Sequence, residues 1–216
     1  MKLWSYWRSS CAYRVRIALN LKQQAYQYCA VHLLRGGGEQ HQPSFGELNP
    51  QRQVPVLEVE EAGEPLRLVQ SFAIIEYLDE RFPEPPLLPA KPADRAHVRA
   101  LAQLVNSGIQ PLQNTATSAQ LQERGVPFEP WAQHFIAKGL AALEALAASR
   151  AGAFLFGDRV TLADLFLVPQ LYNARRLSVP YAHLPSLVRA EKSCLALPAF
   201  HDARPEAQPD AEPAPS

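Results

Sequence analysis

The chain has 216 residues and an apolar share of 47 %, which is ordinary for a globular protein and argues against general disorder. Its 21 basic and 21 acidic residues give a formal net charge of zero, so charge gives no reason to expect a nucleic acid or an acidic membrane as a partner. No segment approaches the ~20 apolar residues of a membrane-spanning helix, and Lys2 is followed by no long apolar run, so we expect neither a membrane span nor a signal peptide.

The first part of the chain alternates strands and helices. A short strand over 1–5 precedes a helix that Ser9 or Ser10 caps, because a hydroxyl there accepts from the unpaired amides of the first turn. A second strand over 26–33 follows this helix. The β-helix-β order predicts a parallel pair of strands joined by a right-handed crossover.

A hairpin and a helix follow this unit. A strand begins after Pro55, turns at 62–64 and returns over 66–69. The helix over 72–81 has apolar positions repeating at three and four, with Ser71 as its expected N-cap. Residues 1–84 therefore predict an α/β domain with the order βαβ-α-ββα.

The rest of the chain is predicted to be helical. Residues 85–92 contain four prolines, which fix the backbone and indicate a stiff linker. Strand signals nearly vanish over 93–203, which predicts an all-α domain in which Thr161 and Asp164 form a capping box. The Pro-, Ala- and acid-rich residues 204–216 predict a disordered tail.

The start of the first helix is the candidate functional site. Ser9, Ser10 and Cys11 stand beside Arg8, with Arg14 and Arg16 shortly after them. A helix N-terminus offers free N–H groups and a positive dipole end, so an anion, and a thiolate in particular, could be stabilised there. An ordinary capped helix with solvated arginines is the alternative.

Elsewhere the cysteines and histidines suggest no site. Cys11, Cys29 and Cys194 are odd in number and far apart, which suggests neither a disulfide framework nor a zinc site. The six histidines show no metal-ligand spacing. We therefore expect no metal, and a reducing, cytoplasmic location.

Motifs along nearly the whole chain resemble the zeta class of the glutathione transferases. Two are fairly specific to that class: Ser-Ser-Cys-x-x-Arg-Val-Arg-Ile-Ala-Leu from Ser9 and Gly-Ile-Gln-Pro-x-Gln-Asn from Gly108. The Thr-x-x-Asp cap from Thr161 is shared across the superfamily. The resemblance implies a thioredoxin-like glutathione-binding domain followed by an all-α helical bundle, glutathione as cofactor, and a homodimer.

The reaction that the resemblance implies is the glutathione-dependent cis–trans isomerisation of a maleyl diketo acid. The thiolate would add to the double bond, the new single bond would rotate, and the thiolate would leave. Two substrates stay open, maleylacetoacetate of aromatic amino-acid breakdown and maleylpyruvate of gentisate breakdown. A glutathione-conjugating transferase and a non-catalytic glutathione-binding module are the further alternatives.

The resemblance also implies roles for individual residues. Ser9 would bond the glutathione sulfur, Ser10 and Cys11 would complete the catalytic pocket, and Arg8 and Arg176 would bind substrate carboxylates. Further glutathione contacts would come from Gln40, Val54, Pro55, Gln70, Ser71, Gln110 and Asn114, with a cis peptide bond before the proline.

One further residue near the helix start is a candidate for activating the thiol. Tyr6 lies where other transferase classes carry a tyrosine that activates the thiol. Because Ser9 and Ser10 are present, we interpret Tyr6 as an aromatic side chain packed at the end of the first strand.

Overall fold

The computed structural model describes residues 1–212, which divide into two compact units. The first unit contains Met1–Pro85 together with the chain from Pro198 onward, and the second contains Pro86–Leu197. The break after Pro85 falls at the expected linker, whereas the second unit ends before residue 203. No helix within the described residues is long and apolar enough to span a membrane.

A mixed sheet forms the centre of the first unit. β1 (Lys2–Ser5) and β2 (Gln27–Ala30) are parallel and are connected by α1 (Ser10–Leu21), as predicted. β3 (Val56–Glu61) runs antiparallel to β1 and to β4 (Glu64–Val69). The strand order among the described residues is β2-β1-β3-β4.

Two further helices flank the hairpin in sequence. α2 (Pro43–Leu48) precedes β3, and α3 (Ser71–Arg81) follows β4. The hairpin turns at Ala62 and Gly63, whose φ values of 52° and 86° are those of the tight turns that suit twisted antiparallel strands. The observed order βαβ-α-ββα confirms the predicted thioredoxin-like fold.

The apolar core of the first unit forms where α1 packs against α3 next to the sheet. Each fully buried aliphatic side chain of this kind stabilises the fold by ~1.5–3 kcal/mol. The buried members include Leu3, Val15, Ile17, Leu19, Val56, Leu57, Ile74, Ile75 and Leu78.

The second unit is helical, as predicted, apart from an isolated bridge between Ala151 and Gly157 among its described residues. Its helices are α4 (Pro92–Gly108), α5 (Thr115–Glu123), α6 (Phe128–Ala147), α7 (Leu162–Arg176) and α8 (Pro185–Leu195). Both α6 and α7 pack against α4 and α8.

The predicted capping box begins α7. The carboxylate of Asp164 accepts hydrogen bonds from the backbone N–H of Thr161 at 2.8 Å and from its hydroxyl at 3.0 Å. It also accepts from the backbone N–H of Leu155 at 2.8 Å, which fixes the segment before the helix. Burial raises the pKa of Asp164 to about 6.

The C-terminal residues correct the sequence prediction. Disorder was expected over 204–216, but residues Pro205–Ala207 form a 3₁₀ turn. α9 (Pro198–Ala203), which was expected within the all-α domain, belongs to the first unit together with that turn. The Asn20 amide donates to the Ala199 carbonyl at 3.0 Å. The remaining residues 213–216 lie outside the described part of the chain.

Replacing Asp164 with alanine is expected to lower the free energy of unfolding by about 2 kcal/mol or more, because two buried backbone N–H groups lose their acceptor. Urea denaturation at a pH above the pKa of this carboxyl measures the change. Glu80→Ala, at an exposed position of α3, serves as the control and should shift the value by less than about 0.5 kcal/mol. Equal effects of the two substitutions would contradict the assigned role.

Candidate active site

The β1–α1 turn, residues 6–9, places Ser9 at the start of α1. Ser9 is the N-cap, and its hydroxyl oxygen accepts from the backbone N–H of Ala12 at 3.2 Å. The Ser9 N–H donates to the carbonyl of Tyr6 at 3.0 Å. Ser10 is buried, whereas Ser9 and Cys11 keep partial exposure.

The capping bond determines what the Ser9 hydroxyl can offer to a ligand. A hydroxyl has one proton and two acceptor lone pairs, and here a lone pair is occupied by the Ala12 N–H. The proton remains available to donate to an anion. Because α1 also presents the positive end of its dipole at this point, the position suits a thiolate.

The three arginines near the start of α1 differ in solvent exposure. Arg14 and Arg16 have no exposed surface, so the alternative of solvated arginines is wrong for both of them. The Arg16 guanidinium donates to the carbonyl of Trp7 at 2.9 Å and to the Ser5 hydroxyl at 3.1 Å, which gives it a structural role. Arg8 keeps exposed surface and lies over the Trp7 ring, 5.2 Å from its centroid.

Arg14 lies beneath the start of α3. Its Nη1 donates to the hydroxyl of Ser71 at 3.1 Å, and both side chains are buried. Burial lowers the pKa of Arg14, and the charge interaction with Cys11 opposes that shift. Arg14 was expected near the start of the first helix, but its contact with Ser71 was not predicted, although its place between apolar residues of α1 could have indicated burial.

The start of α3 differs from the prediction by one residue. Gln70, with φ at 69°, is the N-cap, and Ser71 is the first helical residue. A guanidinium can only donate, so the Ser71 oxygen accepts from Arg14 and its proton is left for another acceptor. With the free N–H groups of the first turn, this arrangement fits a carboxylate. Gln70 is exposed and donates to the Gln51 side chain at 2.5 Å.

Val54 lies next to the β1–α1 turn through packing. It belongs to one buried cluster with Tyr6, Trp7 and Phe45. The Val54–Pro55 peptide bond is cis, as the resemblance implies. Tyr6 is 3 % exposed, and its ring meets that of His32 edge-on at 5.1 Å, in agreement with a packed aromatic.

Gln40 is a buried polar residue of the first unit. It lies in a 3₁₀ turn, Glu39–His41, and is 6 % exposed. Its Nε2 donates to the Leu33 carbonyl at 3.3 Å. That bond ties the turn to the segment that follows β2.

In the second unit, Gln110 begins the 3₁₀ turn Gln110–Gln113, and Asn114 caps α5 by accepting from the Thr117 N–H at 2.8 Å. Gln113 is buried and exchanges hydrogen bonds with Gln170 of α7 at 2.6 and 3.3 Å. This amide pair fixes the turn against α7.

The end of α7 carries two arginines with different surroundings. Arg175 donates to Glu191 at 2.5 Å and to the Tyr181 hydroxyl, so it joins α7 to α8. Arg176 is exposed and donates to Asn173 at 3.2 Å. Both arginine side chains keep exposed surface.

Nothing in the described residues points to a metal. Among residues 1–212, no group of three or more His, Cys, Asp or Glu side chains is placed to hold a metal ion. All three cysteines are free thiols. In the first unit, the hydroxyls of Ser9 and Ser71 each accept a hydrogen bond and keep a proton to donate, which suits anionic ligands.

Comparisons with known proteins identify the family. The family models for the glutathione S-transferase N-terminal domain and C-terminal domain match residues 3–86 and 129–202. A probable maleylacetoacetate isomerase of Vibrio cholerae is 47 % identical over 213 residues, 97 % of each chain. The chain belongs to the glutathione S-transferase family and resembles members of its zeta class.

Solved structures agree with this assignment. The maleylacetoacetate isomerase of Anaeromyxobacter dehalogenans with glutathione bound in its active site has a TM-score of 0.90 and 53 % identity, covering 98 % of this chain and 97 % of that one. Another crystal structure of that protein, with a TM-score of 0.89 and 52 % identity over the same shares, holds dicarboxyethyl glutathione and citrate in the active site. A maleyl pyruvate isomerase, described as a zeta-class bacterial glutathione S-transferase, has a TM-score of 0.92 and 43 % identity, covering 98 % of this chain and 100 % of that one.

Ser71→Ala is expected to raise the Kd for glutathione by about tenfold or more, because it removes a hydroxyl that Arg14 orients to donate, and a hydrogen bond to a charged group is worth ~1.5–3 kcal/mol. Titration calorimetry measures the change. Ser149→Ala, at an exposed position of the second unit, is the matched control and should leave the Kd unchanged. An unaltered Kd for Ser71→Ala would remove Ser71 from the binding site.

Proposed function

We propose that the protein isomerises maleylacetoacetate to fumarylacetoacetate with glutathione as cofactor. The observation that carries the proposal is the hydrogen bonding of the Ser9 hydroxyl. Its oxygen accepts from the Ala12 N–H, and its proton is left at the positive end of α1. That arrangement supports binding of a thiolate in a chain whose relatives include maleylacetoacetate isomerases.

Ser9 acts on the cofactor by donating a hydrogen bond to its sulfur. A free thiol of the cysteine type ionises near pH ~8.5, so a site that works near neutral pH must favour the thiolate. The Ser9 hydroxyl and the helix dipole both stabilise the charged form. Ser10 and Cys11 line the same helix start and complete the pocket.

Glutathione supplies a thiolate that adds to the carbon–carbon double bond, allows rotation about the resulting single bond, and leaves again. The chain's part is to bind and orient both molecules. Ser71, oriented by Arg14, receives the γ-glutamyl carboxylate, and the remaining contacts come from Gln40, Val54, Pro55, Gln70, Gln110 and Asn114.

Arg8 and Arg176 bind the carboxylates of the substrate. Both keep exposed surface, unlike Arg14 and Arg16, and a guanidinium binds a carboxylate through two parallel hydrogen bonds. The dicarboxyethyl glutathione bound to the relative from Anaeromyxobacter dehalogenans is what thiol addition to an unsaturated dicarboxylate produces, which supports a diacid as the ligand of this chain.

Maleylpyruvate is the second candidate substrate. The similarity to a maleyl pyruvate isomerase, at a TM-score of 0.92, favours it, and arginine side chains suit either diacid. We further propose that the protein works in the cytoplasm as a homodimer. Three free thiols agree with a reducing compartment, and size-exclusion chromatography with light scattering tests the dimer.

The deciding experiment measures isomerisation of maleylacetone and of maleylpyruvate by the pure protein, each with and without glutathione. Turnover that requires glutathione is expected, and the ratio of the two kcat/KM values selects the substrate. Glutathione binding without turnover of either compound would instead favour a conjugating transferase or a binding module.

Ser9→Ala is expected to lower kcat by about 100-fold, the scale of losing one donor to a charge that develops at the reacting atoms. Tyr6→Phe should change kcat less than about threefold, because Tyr6 packs in a buried cluster. Steady-state kinetics on both variants compares them. A larger effect at Tyr6 than at Ser9 would contradict the serine assignment.

Arg176→Ala is expected to raise KM for the diacid by about tenfold, because one charged hydrogen-bond donor to a carboxylate is lost. The Kd for glutathione should stay at the wild-type value. Arg159→Ala, at another exposed arginine of the same unit, is the control. An unchanged KM in Arg176→Ala would exclude this residue from the substrate site.

A further inference from the structure

The backbone of Trp7, two residues before Ser9, is held by side chains at both of its polar groups. Its N–H donates to Oδ2 of Asp210 at 3.0 Å. Its carbonyl accepts from Nη2 of Arg16 at 2.9 Å. The β1–α1 turn is therefore fixed at a peptide position directly next to Arg8 and Ser9.

Asp210 is itself fixed by a second contact. Its Oδ1 accepts from the hydroxyl of Tyr28, in β2, at 2.6 Å. Burial raises the pKa of Tyr28 and the bond to Asp210 adds to that shift, so the phenol stays protonated and donates. The carboxylate thus bridges the turn and the neighbouring strand.

The chain around Asp210 is folded onto the first unit by contacts of its own. Nε of Arg16 donates to the carbonyl of Ala203 at 3.0 Å, so one guanidinium bonds both the turn and the C-terminal chain. The buried Gln208 side chain donates to the carbonyls of Asp202 and Arg204, each at 3.0 Å. Ala211 packs against the cluster that contains Tyr6 and Trp7.

We propose that Asp210 is a positioning residue for catalysis, which holds the β1–α1 turn so that the Ser9 hydroxyl meets the glutathione sulfur. This inference rests on the proposed function. Asp210 acts through Trp7 and is not itself placed at the reacting atoms. A displacement of a catalytic group by about 1 Å can lower the rate by about 100-fold, so a turn that carries such a group must be held in place.

Three variants test this role in the full chain. Asp210→Ala removes both hydrogen bonds. Asp210→Asn keeps them, because its amide oxygen can accept from the Trp7 N–H and its NH₂ can donate to the Tyr28 oxygen. Glu212→Ala is the matched control two residues away, where the carboxylate bonds to His32 at 3.1 Å and Arg35 at 2.6 Å instead of the turn.

The first measurement is hydrogen exchange of the peptide covering residues 4–9, together with the Kd for glutathione. Asp210→Ala should accelerate exchange in this peptide by about tenfold, because the turn opens more readily when Trp7 loses its acceptor. Asp210→Asn and Glu212→Ala should exchange at the wild-type rate there. These readouts do not require turnover.

The second measurement is kcat/KM, with the ionisation of bound glutathione followed by thiolate absorbance. Asp210→Ala should lower kcat/KM by about tenfold and raise the pH at which the bound thiol ionises, since the Ser9 hydroxyl no longer keeps its position. Asp210→Asn should restore both values. If Asp210→Ala does not fold, Tyr28→Phe replaces it, because it frees one carboxylate oxygen and should shift the same readouts in the same direction.

The outcomes separate this inference from the proposed function. Loss of thermal stability in Asp210→Ala with unchanged exchange, thiol ionisation and kcat/KM would overturn the positioning role. A wild-type chain without glutathione-dependent isomerisation would overturn the proposed function, whereas exchange of the turn and thiol ionisation would still decide the role of Asp210.

Discussion

The hydrogen-bonded guanidinium of Arg16 is the constraint on which the first unit depends. Its side chain has no exposed surface and donates to Ser5, Trp7 and Ala203. An arginine keeps its proton in a protein, so a buried one is tolerated only where acceptors surround it. Burial lowers the pKa of this group, yet neighbouring tyrosines and Asp210 oppose the shift. The end of β1, the turn after it and the C-terminal chain are arranged around this cation.

α1 organises the candidate site because its two buried arginines form hydrogen bonds with two different parts of that site. Arg16 fixes the turn that leads to Ser9, and Arg14 fixes the hydroxyl at the start of α3. Ser9 begins the same helix. A single rigid helix therefore sets the spacing between the position suited to a thiolate and the position suited to a carboxylate. A tripeptide thiol with a terminal carboxylate carries one group of each kind.

Features with local signals could be predicted from the sequence. A serine N-cap for α1 and the capping box of Thr161 with Asp164 depend on residues within one helical turn. Ser9 and Ser10 were both candidates for the N-cap, and the structure selects Ser9. The capping box is confirmed. The N-cap of α3 was misplaced by one residue, because Gln70 adopts a positive φ that only the tertiary structure imposes. The order of strand and helix patterns predicted an α/β domain followed by an all-α domain, and the family resemblance implied that the first domain is thioredoxin-like.

The contacts that tie the chain ends together could not be predicted. Ala203 lies 187 residues from Arg16, and Asp210 lies 203 residues from Trp7. Pattern and propensity describe neighbours in sequence, so a Pro- and Ala-rich tail was interpreted as disordered. The order of residues 204–212 comes instead from a few specific acceptors and the packing of Ala211. The roles of the individual site residues followed from family resemblance rather than from residue chemistry.

Because the C-terminal chain is part of the first unit, the residues of that unit are synthesised in two separate stages. Residues 1–85 leave the ribosome first, but the acceptors of Arg16 and Trp7 at positions 203 and 210 are made after the whole helical unit. Domains generally fold in order as they emerge. Here the first domain lacks one acceptor of Arg16 and the acceptor of the Trp7 N–H until the second domain has been synthesised. The β1–α1 turn therefore gains its full set of hydrogen bonds only after residue 210 has been translated.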